Sequence, residues 1–515
     1  MNRFFVFLVS LCETSFLLIA LALPSGVSAG TVLHRGNSVE PETLDPHRAR
    51  GVSASNVLRD LYEGLTTEAP DGAIVPGVAE RWDADPDGRH FTFHLRADAR
   101  WSNGEPVTAA DFVESWRRLR APRTASPVAQ ILDAVEDAEA PDARTLRVRL
   151  RAPAPQLPAL LSHPAAFPLH AANRAGAAFA PGTLAGNGAF RLVEWVAHAR
   201  IVLGRNPHYH GRAEVAVERV VFHPIESPGS ELKRYRAGEL DWTDTIPSSQ
   251  ARWIREHLGA ELHVAPYLGT YFYGFNLTRP PFKGNPALRR ALALALDRET
   301  LAASILGTGE TAAYSWVPPG VASYTPQTPE WAAWPVERRL AEARRLYAEA
   351  GYSATQPLDV ELRYNTGDNH KRVALAVSWM WRQALGVRTR LVNEEYKVFL
   401  QNRRSRLHTQ LFRADWIGDY DDAATFAGRM HSGSGLNDTG YASERYDALV
   451  DQAAGEADAA RRRALLEEAE RVLLEDLPVL PLYFYVSKHL VKPYVAGWQP
   501  NIMDHHYSRY FRIQR

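Results

Sequence analysis

The residues able to do chemistry in this chain fall in a few places. Asp419, Asp421 and Asp422 crowd three carboxylates into one short stretch, a density that suits a hard cation. The stretch lacks the glycine and closing glutamate of an EF-hand loop, so calcium is not expected there. His208 and His210 form an H-x-H pair, and His505 and His506 are adjacent. Both pairs read as surface or turn histidines, and no metal site is expected. Gly26-Val27-Ser28-Ala29-Gly30 matches the G-x-S-x-G nucleophile pattern. That pattern works on a strand-to-helix turn, and neither element flanks it here. The chain has no G-x-x-x-x-G-K-[ST] phosphate loop and no H-E-x-x-H pair. Catalysis therefore finds no anchor: no catalytic residue and no cofactor are expected.

The elements around these residues alternate between strand and helix patterns. Thr31 to Arg35, His90 to Leu95 and Thr145 to Leu150 alternate as strands. Phe190 to Leu203 and Val215 to Phe222 read as further strands. Val57, Leu61, Tyr62 and Leu65 have helical spacing across Asn56 to Leu65, and Thr108 with Asp111 opens a helix from Phe112 to Leu119. Pro153, Pro155 and Pro158 mark a connector. A second half opens near Tyr271-Phe272-Tyr273. There the spacing predicts helices over 286–306, 336–350 and 371–385, with strands at 358–364 and 387–392. A charged helix is expected over 459–474 and an apolar strand over 479–486, ended by Lys488. The alternation argues an α/β chain with mixed sheets.

Composition narrows the class. The chain has 515 residues, with 59 basic and 59 acidic side chains. That balance gives no whole-molecule field for nucleic acid. Its 45% hydrophobic and 23% charged residues suit a globular protein of about three domains. One cysteine excludes a disulfide framework, a cysteine-ligated zinc site and an iron–sulfur cluster. Arg3 followed by apolar runs Phe4–Leu11 and Phe16–Leu23, then Val27-Ser28-Ala29, reads as a signal peptide over residues 1–29. Cleavage there would remove Cys12, and no later stretch is apolar enough to span a membrane. An exported, soluble product is expected.

Several segments resemble the periplasmic oligopeptide-binding proteins of ABC transporters. The likeness runs from about Gly36 to the C-terminus. It is carried by Thr43-Leu44-Asp45-Pro46-His47, Trp101-Ser102-Asn103-Gly104-Glu105-Pro106-Val107-Thr108-Ala109 and Thr124-Ala125-Ser126-Pro127. In the second half it rests on Tyr364 to Lys371 and Arg413 to Tyr420. The resemblance implies an α/β, two-lobed periplasmic-binding-protein clamp of three domains. Domain I would be discontinuous (30–62, 170–268 and 487–515), domain II inserted (63–169), and domain III the second lobe (269–486). A short peptide would lie extended between the lobes, its backbone pairing around Gly51-Val52 and along Asp415 to Ile417.

By the same resemblance Asp419 takes the peptide ammonium. Arg413 and His370 take its carboxylate, with Arg404 of the Arg403-Arg404 pair as a third cation. Tyr396, Trp416 and Tyr485 match lining positions, for which core packing is the alternative. Some positions depart from the family pattern. No lysine stands in Leu301 to Leu306, and Gly269 and Ile417 occupy positions where some relatives carry a cysteine pair. Val128 replaces an aromatic, and Asp415 replaces a small residue, which is expected to favour basic ligands. The implied partners are short peptides and an inner-membrane permease with ATPase subunits, served by a monomer. A murein-peptide receptor on the same fold is the nearest alternative; a hydrolase and a chaperone that holds unfolded segments are the others.

Overall fold

Eighteen strands form among the described residues. In chain order they are β1 (Val32–Gly36), β2 (Thr66–Glu68), β3 (Ile74–Pro76), β4 (Ala79–Ala84), β5 (His90–Leu95) and β6 (Val135–Asp142). Next come β7 (Thr145–Leu150), β8 (Phe190–Val196), β9 (Arg200–Arg205), β10 (Arg219–His223), β11 (Leu262–Phe275) and β12 (Thr311–Ala312). The last six are β13 (Asp359–Asn365), β14 (Arg388–Glu394), β15 (Leu411–Ile417), β16 (Val479–Leu490), β17 (Val495–Ala496) and β18 (Arg512–Ile513). These come from a computed structural model that describes residues 31–515. The signal peptide expected at residues 1–29 lies outside the described residues. No helix among the described residues is long and apolar enough to cross a membrane.

The strands sort into three main sheets. One has the order β1-β10-β9-β8, a second β4-β5-β7-β6, and a six-stranded mixed sheet runs β12-β16-β11-β15-β13-β14. The first two sheets share one hydrophobic core, in which Phe93, Trp101, Phe112 and Trp116 sit with Leu33, Phe190 and Phe222. The six-stranded sheet carries a core on each face. Tyr271, Tyr273, Leu362 and Trp381 lie in one, and Phe272, Trp316, Phe412 and Phe426 in the other. Strand pleating explains the division, since neighbours in sequence point to opposite faces.

Two strands tie the first and third sheets' regions together. β11 and β16 run unbroken through both positions, 268/269 and 486/487, at which the sequence expectation divides domains I and III. Their ladder is irregular at that point: Pro266 pairs with Val486, and the next pair is Thr270 with Phe484. Gly269 stands in this irregular stretch. A β-carbon there would come within 2.9 Å of Tyr485 Cδ2 and closer still to Ile417 Cδ1. Glycine is required by that close approach.

Most of the expected elements form, with differences. The strand expected over Phe190 to Leu203 is the hairpin β8–β9, the one expected from Val215 starts only at Arg219, and the helix expected to Leu65 ends at Leu61. The helix expected over 286–306 ends at Leu294. Asp297 accepts the Thr300 N–H at 2.9 Å and starts a new turn, while the buried Arg298 donates to the carbonyls of Ala293 and Pro481. The chain is thus capped and restarted rather than continued. Strand β16 does not stop before Lys488 but runs to Leu490, because the Lys488 ammonium is met by the buried Glu310. Gly51 and Val52 are not extended: they form the first turn of a helix, Gly51–Leu61, and Val52 is exposed.

Candidate functional site

The register of β15 organises the site. β15 pairs with β11 along its whole length, from Gly269 with Ile417 to Phe275 with Leu411. On its other side it pairs with β13 only at Leu411 and Phe412. Beyond Phe412, β13 departs toward β14, which it pairs through Asn365 with Glu394. The β13-side edge of β15 from Asp415 to Ile417 therefore has no strand partner among the described residues. A row of unpaired N–H and C=O groups is a template for an added strand.

Charged and phenolic groups crowd one face of this edge. Tyr271 lies opposite Asp415 on one side and Tyr483 on the other. The Arg413 guanidinium is buried, 2.5 Å from Asp415 Oδ2, and donates to the Tyr485 hydroxyl at 3.1 Å. It also lies over the Tyr271 ring at 4.8 Å. The Tyr485 hydroxyl donates to the same Asp415 oxygen at 3.2 Å. Burial pushes the Asp415 carboxyl up, but Arg413 and then Arg403 hold it below its ordinary range. The result is a closed Arg–Asp–Tyr triangle at one end of the open edge.

Asp419 stands past the other end. Its backbone N–H is fixed by the Thr425 hydroxyl at 3.2 Å. Its side chain is reached by solvent, yet it makes no hydrogen bond or ion pair among the described residues. Flanking protein strips enough water to push its carboxyl up to about 6, against a weaker pull from Arg429. An unpaired, partly desolvated carboxylate is an acceptor for a cation. The neighbouring acids are engaged: Asp421 accepts the Ala322 N–H at 3.1 Å, and Asp422 takes a two-pronged bond from Arg462 at 2.8 and 2.9 Å.

The first and second lobes meet across this face. Tyr420 packs against the core shared by the first two sheets. Ser248 donates to the Asn369 side-chain oxygen at 2.7 Å. The ring of Tyr267, half-buried, sits within the fields of Asp415, Asp504 and Arg59.

Comparison with known proteins places this geometry. Residues 73–438 match the family model described as bacterial extracellular solute-binding proteins, family 5 middle. The chain belongs to the family 5 bacterial extracellular solute-binding proteins. Its relatives include the periplasmic oligopeptide-binding protein OppA of Escherichia coli strain K12, 39% identical over 95% of this chain and 94% of that protein. The periplasmic murein peptide-binding protein MppA of the same strain is 35% identical, covering 96% of each. The solved E. coli MppA structure superposes with a TM-score of 0.85 over 95% of this chain and 99% of that one. Haemophilus influenzae OppA in complex with the peptide RPPGFSPFR, 36% identical, gives 0.83 over 95% and 99%. Members of this family are binding proteins.

Within this family 5 chain the expected site residues do not all gather. Arg413, Asp415, Tyr485 and His370 meet around Tyr271, and Ile417 and Asp419 close the far end. His370 comes from the helix Asp368–Leu385, and its Nδ1 lies 3.4 Å from the Tyr271 hydroxyl. It is not the expected cation. Burial first, then Arg413, pushes its pKa down to about 3, so the ring is neutral. Arg413 is not a free cation either, because Asp415 neutralises it. Arg404 is exposed and unpaired among the described residues; its neighbour Arg403 is the one turned inward, 2.7 Å from Asp438. Tyr396 is likewise exposed on the same helix, Tyr396–Ser405. Trp416 lies on the opposite face of β15 from Asp415, under the Arg429 guanidinium at 4.7 Å, with its indole N–H unpaired. Val52 belongs to a helix start, so it offers free first-turn N–H groups and no strand.

Sequence reasoning missed Tyr271 as a site residue, although Tyr271, Tyr273, Tyr483 and Tyr485 repeat at the strand period of two. His208 is exposed in a turn, as read, but the other three paired histidines are not surface groups. His210 is largely buried against Glu63 at 2.7 Å, and His505 lies between Arg59 and Glu68, each at 2.7 Å. His506 is buried beside Asp504.

Proposed function

We propose that this chain is the periplasmic receptor of a peptide importer. It encloses short peptides between its lobes and passes them to a membrane permease with ATPase subunits. The observation that carries the reading is the unpaired edge of β15 from Asp415 to Ile417. An extended peptide added there hydrogen-bonds through its main chain, which all sequences share. The peptide ammonium is taken by Asp419, the unpaired carboxylate just beyond the strand. Asp419 stands six positions past Arg413, at most ~20 Å of extended chain, a length that suits a peptide of a few residues. The chain is read as three domains with the boundaries given above, working as a monomer. Closure is a hinge motion about β11 and β16, stabilised by ligand contacts that the open form lacks. The cleft forms bonds to no substrate covalently; peptides leave it intact.

Native mass spectrometry of the protein purified without refolding tests the reading. Co-purified peptides of a few residues are expected, and incubated peptides should stay whole. Bound murein tripeptide as the dominant species would select the cell-wall alternative. Ligand masses that are not peptides, or steady release of amino acids, would overturn the proposal.

A further inference from the structure

His489, Asp504 and His506 bring two imidazoles and a carboxylate to one point near the base of the β11–β16 crossing. Asp504 Oδ1 lies 2.8 Å from His489 Nε2 and 3.0 Å from His506 Nε2. All three ligand atoms fall within 4.8 Å of one another. The two rings are buried, whereas the Asp504 side chain keeps 17% of its surface open. The pocket is thus walled by protein but reachable on the carboxylate side.

The surroundings orient these groups. His489 Nδ1 lies 2.8 Å from the Thr243 carbonyl oxygen. A carbonyl and a carboxylate only accept, so His489 carries a proton on Nδ1 and another on Nε2 facing Asp504, and a metal ion bound at Nε2 would displace the second. The Trp242 ring lies tilted against both imidazoles, with ring centres 4.5 Å from His489 and 4.9 Å from His506. Arg35 donates to the His506 carbonyl at 2.7 Å and to the Ser508 hydroxyl at 2.9 Å, which holds the backbone behind the ring. Asp504 adopts a left-handed φ of 55°, and the Asn501 side chain accepts the N–H groups of Met503 and His505 on either side of it. Glu231 and Asp244 lie within the field of His489, and burial pushes both of their carboxyls up.

We propose that His489 Nε2, the Asp504 carboxylate and His506 Nε2 form a site for a borderline divalent transition metal such as Zn²⁺. Two imidazoles and one carboxylate, with water completing four-coordination, are a donor set that such ions accept. The oriented Nδ1–H of His489 is the supporting contact that metal-binding histidines use. The ion would link the end of β16 to the C-terminal segment. That segment reaches the other lobe, since Met503 sits in a second-lobe core.

Untagged protein stripped with EDTA is titrated with Zn²⁺ by calorimetry and with Co²⁺ by visible absorption. One equivalent per chain is expected, with cobalt d–d bands of four-coordinate strength. His506→Ala and Asp504→Asn should each weaken binding by at least ~100-fold while circular dichroism stays unchanged. The exposed group Asp85, Asp87 and His90 also converges, so Asp87→Ala serves as the control and should leave affinity intact. Should both site variants unfold, the wild-type cobalt spectrum and stoichiometry decide alone. The proposal is overturned if folded wild-type protein binds neither ion saturably. It is equally overturned if Asp87→Ala abolishes binding while the triad variants retain it.

Discussion

Arg413 and Asp415 point to the same face of β15 and are bound to each other, 2.5 Å apart, with the Tyr485 hydroxyl bridging them. The guanidinium is buried and the carboxylate is partly exposed, so what the cleft meets at this end is acid. Asp415→Ala would leave a buried cation without a partner. Because water screens part of the pair, a loss of about 1–3 kcal/mol is expected in urea unfolding. Peptides with a free C-terminal carboxylate should bind the Asp415→Asn protein more tightly than wild type. Equal or weaker binding would show that Arg413 does not face the ligand.

Asp419 makes binding depend on pH. Its carboxyl titrates near 6 in the free protein because flanking groups desolvate its charged form. A peptide ammonium needs the ionised form. Affinity should therefore be flat above about pH 7 and fall below 6, approaching tenfold per pH unit. Calorimetry of one peptide between pH 5 and pH 8, in buffers of different ionisation enthalpy, should also detect proton release on binding near pH 6. Affinity that rises on acidification would contradict the assignment.

Gly269 sits where β11, β15 and β16 converge. A valine side chain there meets Ile417 and Tyr485, and overpacking of this kind costs about 1–3 kcal/mol. Gly269→Val should lower the urea midpoint and weaken peptide binding together, since the displaced residues border the open edge. Unchanged stability would mean that the neighbouring strands yield freely.

Glu470 holds the second lobe's core from behind. It accepts the backbone N–H groups of Trp316, Val317 and Gln327 at 2.7–2.8 Å and the Tyr324 hydroxyl at 2.7 Å. Glu470→Ala would orphan these donors and should cost about 3 kcal/mol or more. Glu470→Gln should recover part of that loss, because its amide oxygen still accepts.

Much of this was legible in the sequence where a pattern is local. The alternations at His90 to Leu95 and Thr145 to Leu150, and the capping pair Thr108 and Asp111, need no distant partner to be read. Asp415 and Asp419 were also within reach, because the segment around them is distinctive. What escaped depends on long-range packing. Lys488 looks like a strand end until Glu310 is placed beside it. His370 looks like a cation until burial and Arg413 remove its proton. Arg403 and Arg404 are adjacent in sequence, and helix geometry alone turns the first inward and the second to solvent. His506 looks like a turn residue until the chain brings it to Asp504 and Trp242.

The central claim is that a peptide adds to β15 with its ammonium on Asp419. The most direct measurement is calorimetric titration of trialanine and N-acetyl-trialanine against wild-type and Asp419→Asn protein at pH 7.5. The account predicts that acetylation and the substitution each weaken binding by about 3 kcal/mol, and that the two losses do not add. Equal affinity for both peptides in wild type, or losses that add in full, would contradict it.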